Sequence, residues 1–200
     1  IIAGEASGDL HASNLMKELK KLDHEAAFRC WGGDLMQAQG GEVVKHYRHL
    51  AFMGFIEVAA NIRTILGNFR FCKKDIINYN ADAVILVDYP GFNLRIAEFA
   101  KKAGFKVFYY ISPQVWAWKQ SRVRTIKKYV DRMFVILPFE KAFYARYDYD
   151  ADFVGHPLLD VIETLPENDG QNFRQEHGLN DKPIIALLPG SRRQEIKVML

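Results

Sequence analysis

Short apolar runs alternate with amphipathic stretches along the chain, and the alternation predicts a layered α/β fold. Apolar runs fall at 1–3, 26–31, 83–87, 106–111, 132–137, 151–154 and 184–188. Several are apolar at successive positions rather than alternate ones, as parallel strands covered on both faces require. Between them the period changes. Ala12, Leu15, Met16, Leu19 and Leu22 recur at helical spacing, with Ser7 or Asp9 placed to cap and Lys20 and Lys21 at the far end. Further helical patterns cover 92–102, 119–129, 138–147 and 157–163. Strands alternating with helices in this way predict a doubly wound parallel sheet.

Two stretches break the rhythm. Between 50 and 80 there is no strand pattern, but Phe55, Val58, Ala59, Ile62, Ile65, Leu66 and Phe69 form a long apolar stripe. Such a stripe serves as core, as a partner groove or as a membrane-facing patch. From 164 to 182 the chain is polar and carries Pro, Gly and Asn, which predicts a linker. The organisation expected is therefore a domain over 1–165, a linker over 166–183, and a strand–turn–helix over 184–200. That last unit either extends the same sheet or opens a second domain. The chain begins on Ile1-Ile2-Ala3, read as the end of a strand, and finishes on Val198-Met199-Leu200 without a helix stop signal. A fragment is expected.

Composition narrows the partners. The 200 residues are 49% hydrophobic and 26% charged, which suits a soluble domain with a substantial core. A net charge of +3 gives no reason to expect nucleic acid. Cys30 and Cys72 lack metal-type spacing and read as buried thiols of a reducing compartment.

In open α/β sheets ligands bind beyond the carboxyl ends of the strands, near helix N-termini. The residues that follow each strand are therefore the candidates. After the first come Gly4-Glu5-Ala6-Ser7-Gly8-Asp9. Glycines permit close backbone approach, and Ser7 and Asp9 either cap the helix or bind a sugar hydroxyl. The spacing matches neither the dinucleotide fingerprint nor a P-loop. Glu5 stands out, because packing seldom needs a carboxylate there. Asp88 ends an apolar strand with no cation beside it in sequence. It suits general-base work, or else caps the following helix. Pro189-Gly190-Ser191-Arg192 is the best phosphate signal: a turn, a hydroxyl cap and a guanidinium fork for two phosphate oxygens. A capped helix with a solvated Arg is the alternative. Asp148, Asp150 and Asp152 imitate a metal-binding DxD but precede a strand, and read as a solvated acidic turn. His156 is the one histidine placed beside a site. A basic run at Lys119, Arg122, Arg124, Lys127, Lys128 and Arg132 follows two tryptophans and suits a solvated face, an anionic ligand or a lipid surface.

Seven segments in order, AGEASGDLHASNLM, LAFMGFIEV, VDYPGFNLRIA, YYISPQVWAWKQSRV, LPFEKAFY, VGHPLLD and LLPGSRRQEI, closely resemble the lipid-A-disaccharide synthase family over residues 1–200. The resemblance implies a GT-B architecture of two facing Rossmann-like domains, of which this chain would hold the N-terminal one and the opening unit of the second. It implies an inverting hexosyltransferase that condenses UDP-2,3-diacylglucosamine with 2,3-diacylglucosamine 1-phosphate (lipid X), releasing UDP. Carried over by position, Asp88 is the base, Arg192 the essential arginine and Glu5 a further acid of the site. Ser7, Gly8, Asp9, Asn93, Ser112, Gln114, Trp116, Gly190 and Ser191 would contact substrate. Ile56, Val58, Ile62, Ile65 and Leu66 would form an acyl or membrane patch. No metal and no other cofactor is implied. The location implied is cytoplasmic, on the inner-membrane surface, with room for a homodimer of the intact protein. A different GT-B nucleotide-sugar enzyme such as a UDP-sugar epimerase, and a non-enzymatic lipid-surface module, remain as rival functions.

Overall fold

The computed structural model describes residues 1–50, 62–163, 170–180, 183–188 and 196. Its strands are β1 (Ile2–Ala3), β2 (Arg29–Gly32), β3 (Glu42–His46), β4 (Ala83–Val87), β5 (Lys106–Tyr110), β6 (Arg132–Val135) and β7 (Asp152–Phe153). They form one sheet in the order β3-β2-β1-β4-β5-β6-β7, with every pairing parallel. The chain winds outward from β1 in one direction, then returns to β4 on its other side and winds the opposite way. That reversal makes the sheet doubly wound and Rossmann-like, and leaves a crevice beyond the ends of β1 and β4.

The unbroken apolar strands follow from burial on both faces. In β4, Val84 and Leu86 join one buried cluster while Val87 joins the other, with Ile85 packed against it. The first face is covered by α3 (Ile62–Tyr79), α4 (Pro90–Lys102) and α6 (Arg122–Tyr129), through Phe69, Cys72, Ile76, Ile96, Ala97, Val123 and Ile126. The second is covered by α1 (Ala6–Leu22) and α2 (Asp34–Ala38), through Ala12, Met16 and Met36. Full burial of one such side chain stabilises by roughly 1.5–3 kcal/mol. Cys30 and Cys72 are both buried free thiols. The remaining helices are α5 (Val115–Trp118), α7 (Pro138–Ala145), α8 (Pro157–Glu163) and α9 (Gly170–Glu176). Two compact units result, Ile1–Leu159 and Asp160–Leu200, with the division inside α8. The whole sheet belongs to the first.

Several expectations need correction. Neither Ser7 nor Asp9 caps α1; Glu5 is its N-cap residue, and makes no side-chain cap hydrogen bond. Of the pattern at 119–129 only Arg122–Tyr129 is helical, as α6; Lys119, Gln120 and Ser121 separate it from the single turn α5. β3 and α2 were not expected. β3 is a sheet edge and only half-buried, so EVVKH lacks the apolar signature of an inner strand. The segment 184–188 is not a strand: Ile185 is 94% exposed, and no neighbour among the described residues pairs with it. A strand exists only through such pairing, whatever its composition. The polar stretch expected as a linker contains α9, where Phe173 stacks on His177 at 4.4 Å.

Candidate active site

The register that sets Ala3 beside Val87 brings the turns after β1 and β4 side by side. Glu5 follows one and Asp88 the other, so residues 83 positions apart in sequence share the crevice. Burial, and then the charge of Glu5, push the Asp88 carboxyl up to about 6, against a smaller opposing pull from the Tyr89 N–H. Asp88 does not cap the helix after it. Tyr89 is the N-cap residue of α4, with Pro90 next and no side-chain cap bond.

The backbone at this turn is unusual. Asp88 and Tyr89 both lie in the left-handed region, at φ 45° and 49°. Tyr89 does so although it precedes a proline, which ordinarily favours extended backbone. Ile111, ending β5 one strand away, has φ 64°. Left-handed backbone costs roughly 1–2 kcal/mol at non-glycine residues. Asn80 and Asp148, the other such non-glycine residues described, are types that tolerate it and sit in turns after helices. Strain at residue types that do not tolerate it, Tyr89 and Ile111, therefore falls at the carboxyl edge, as it does at functional turns.

The turn is held from below. Asn93, fully buried on α4, aims Nδ2 at the carbonyls of Asp88, Val87 and Ile2, at 2.8, 3.2 and 3.3 Å. Its Oδ1 has no partner among the described residues. The buried Tyr109 hydroxyl donates to the Asp88 carbonyl at 2.6 Å. The Tyr89 ring lies against Gly4, where a Cβ would come within 2.3 Å of it, and its hydroxyl donates to the Leu50 carbonyl at 3.1 Å. Only glycine fits at position 4. Gly8 lets α1 approach β1, since a Cβ there would meet Ala3 at 3.1 Å.

Other expected residues divide by role. Ser7 is exposed on the first turn of α1. Asp9, expected to touch substrate, is instead buried and accepts the N–H groups of Gly33, Leu35 and Met36 at 2.7–3.1 Å, capping α2 rather than its own helix. Asn93 is engaged with the strand ends as described. Ser112 is buried, donating to the Pro113 carbonyl and pairing with the Tyr144 hydroxyl at 2.7 Å. Gln114 is exposed. Trp116 is half-buried against Phe139, edge to face at 5.0 Å, and its Nε1 has no partner among the described residues. His156 accepts the Leu158 N–H at 3.3 Å; burial, and then His156, lower the pKa of His11. Gly190, Ser191 and Arg192 lie outside the described residues, as do Ile56 and Val58. Of the apolar stripe, Ile62 and Leu66 are 49% and 46% exposed, while Ile65 packs against the core. Because α3 leads into the amino end of β4, its first turns lie toward the carboxyl edge. Asp148, Asp150 and Asp152 pair with Lys127, Lys141 and Arg132. A cavity of about 590 Å³, lined by Ile1, Arg29, Asp75 and Tyr79, opens at the amino edge, away from Asp88.

The sequence reading missed Tyr89 and Tyr109 in the site. A phenol inside a strand flanked by buried positions needs a hydrogen-bond partner, and that was the available signal for Tyr109. Nothing local marks Tyr89.

A sequence model described as lipid-A-disaccharide synthetase matches residues 1–200. The chain belongs to the lipid-A-disaccharide synthase family. It is 45% identical over 200 residues to the lipid-A-disaccharide synthase of Syntrophus aciditrophicus, covering all of this chain and 52% of that protein. Identity is also 45% over 197 residues with the Geobacter metallireducens protein of that name, covering 98% of this chain and 51% of the relative. With the Coxiella burnetii protein it is 42% over 201 residues, covering 100% and 53%. The chain thus spans about half the length of the curated relatives it matches.

Proposed function

We propose that the full-length protein containing this chain is an inverting glycosyltransferase of lipid A biosynthesis, joining UDP-2,3-diacylglucosamine to lipid X. Asp88 takes the proton from the acceptor hydroxyl as its oxygen attacks the anomeric carbon. The bond from that carbon to the diphosphate oxygen breaks, and UDP leaves with the electron pair. Arg192 neutralises the diphosphate as its charge develops. The step balances without a metal or other cofactor. Glu5 keeps Asp88 basic, while Ser7, Gly8, Ser112, Gln114, Trp116, Gly190 and Ser191 line the substrate path. Trp116 offers Nε1 to a sugar or phosphate oxygen.

The observation that carries this reading is the half-buried carboxyl of Asp88, raised to about 6 at the crevice where the winding reverses. Such a group is ionised at neutral pH yet holds a proton more firmly than an ordinary carboxylate, which a base acting on an alcohol needs. Ile62 and Leu66, exposed toward the same edge, support contact with acyl chains at a membrane surface. No helix among the described residues is long and apolar enough to cross a membrane. Peripheral attachment to the cytoplasmic face of the inner membrane fits this reading. The test is turnover of the two lipid substrates by the full-length protein, with Asp88→Asn and Arg192→Ala beside wild type. A near-normal rate in either variant removes that residue from the mechanism.

A further inference from the structure

We propose that Tyr109 and Asn93 are positioning residues for sugar transfer, holding the main-chain carbonyl of Asp88 so that its turn presents the carboxylate to the reacting hydroxyl. The proposal rests on the base role given to Asp88 above.

Both ends of the Asp88 peptide frame are tied. Its N–H donates to the Tyr110 carbonyl at 3.1 Å, continuing the ladder between β4 and β5. Its carbonyl receives two side-chain donors at once, Tyr109 Oη at 2.6 Å and Asn93 Nδ2 at 2.8 Å. The two donors come from different elements, β5 and α4, and both residues are fully buried. The amide orientation of Asn93 is set by its surroundings, since an oxygen in place of Nδ2 would face three carbonyl oxygens. The phenol of Tyr109 stays protonated and so remains a donor: burial, and then the Asp88 charge, raise its pKa well above the ordinary value.

This clamp acts where the chain needs it. Asp88 and Tyr89 are consecutive left-handed residues, neither of them glycine, and the second precedes Pro90. A turn of that kind persists only when its surroundings over-determine it. With the N–H and the carbonyl both held, the carboxylate keeps little freedom beyond its own side-chain torsions. The same two donors make no contact with the carboxylate oxygens in these hydrogen bonds, so they act through the backbone.

The experiment compares Tyr109→Phe, Asp88→Asn and the double variant with wild type in the full-length protein. Tyr109→Phe keeps the ring and removes only the donor. Its kcat is expected to fall about 10- to 100-fold through misplacement of the base, with KM for both substrates nearly unchanged. The 13C titration of the Asp88 carboxyl should move down toward the ordinary carboxylate range as the group leaves its buried slot. Added to Asp88→Asn, the Tyr109→Phe change should cost no further rate. Unchanged kcat and titration in Tyr109→Phe overturn the positioning role and leave the base role standing. A loss that is fully additive on Asp88→Asn, or that appears in KM, assigns Tyr109 a structural role and also overturns it. If Asp88→Asn itself turns over at the wild-type rate, the base role fails and the positioning role with it. Asn93→Ala provides the second arm, with the same titration shift expected wherever that variant folds, and an unmoved titration counting against the clamp.

Discussion

At the amino edge of the sheet a buried carboxylate meets an arginine, while at the carboxyl edge a half-buried carboxylate faces another carboxylate. Asp75 on α3 lies 2.7 Å from Arg29 on β2, which also pairs with Glu42 on β3 at 2.6 Å. The hydrogen bond to Asp75, above all, raises the Arg29 pKa. That edge holds a cavity, yet Arg29 and Asp75 in its lining are paired and, with Glu42, join three elements of the fold. Among the described residues Asp88 has no such cation. Its chief influences are burial and Glu5, and both act against the charged form. One arrangement serves the fold; the other opposes the charged form and raises the carboxyl to about 6. The cavity and the raised carboxyl therefore fall on opposite edges, and the base role proposed for Asp88 rests on the second.

The sharpest way to break this comparison is Asp88→Asn. Turnover is expected to fall about 10²- to 10⁴-fold, the usual contribution of a general base. Wild-type kcat should rise with pH through about 6 and level off above it, as Asp88 loses its proton. Stability should move the other way. A carboxyl whose pKa is raised on folding carries no penalty below its unfolded value near 3.8, and the penalty grows as pH rises to about 6. Asp88→Asn should accordingly stabilise the protein by about 1–3 kcal/mol at pH 7, a gain that vanishes below about pH 4 in denaturant titrations.

Asp75→Ala tests the other edge. It strands Arg29 without its more buried partner and should cost about 2 kcal/mol in chemical denaturation, with the pH–rate profile unmoved. Asp9→Ala should likewise cost about 2 kcal/mol, by removing the acceptor of three α2 N–H groups, while KM stays put. A raised KM would return Asp9 to the substrate. Glu5→Gln sharpens the contrast further: the apparent pKa in the rate profile should fall, and most of its elevation should survive because burial is the larger cause. The smallest effect expected is for Ile62→Ser combined with Leu66→Ser, about tenfold weaker binding to phospholipid vesicles with soluble turnover retained.

Much of this fold was legible because both-face burial leaves a mark in every inner strand. The runs at 83–87 and 106–111 coincide closely with β4 and β5. β3 escaped because at the sheet edge its residues are at most half-buried, so Glu42, Lys45 and His46 interrupt the apolar run. The run at 184–188 shows the complementary case: its composition suits a strand, but among the described residues none pairs with it. Among site residues, Asp88 could be singled out as a carboxylate ending an apolar strand. Asp9 could not be sorted from it, because its three N–H partners lie 24 to 27 positions away.

Local pattern, then, determined the alternation of elements, the carboxyl-edge loops and the family. Tertiary structure alone decided which acids are matched. Neighbouring charge depends on strand order, and here β1 sits between β2 and β4, so that Glu5 meets Asp88 across a crevice. It also decided how Asp88 is held, through a phenol on β5 and an amide on α4 that reach one carbonyl. Hydrophobic periodicity is a property of consecutive residues and survives in the sequence; electrostatic environment belongs to residues brought together by winding, and appears only once the sheet is formed.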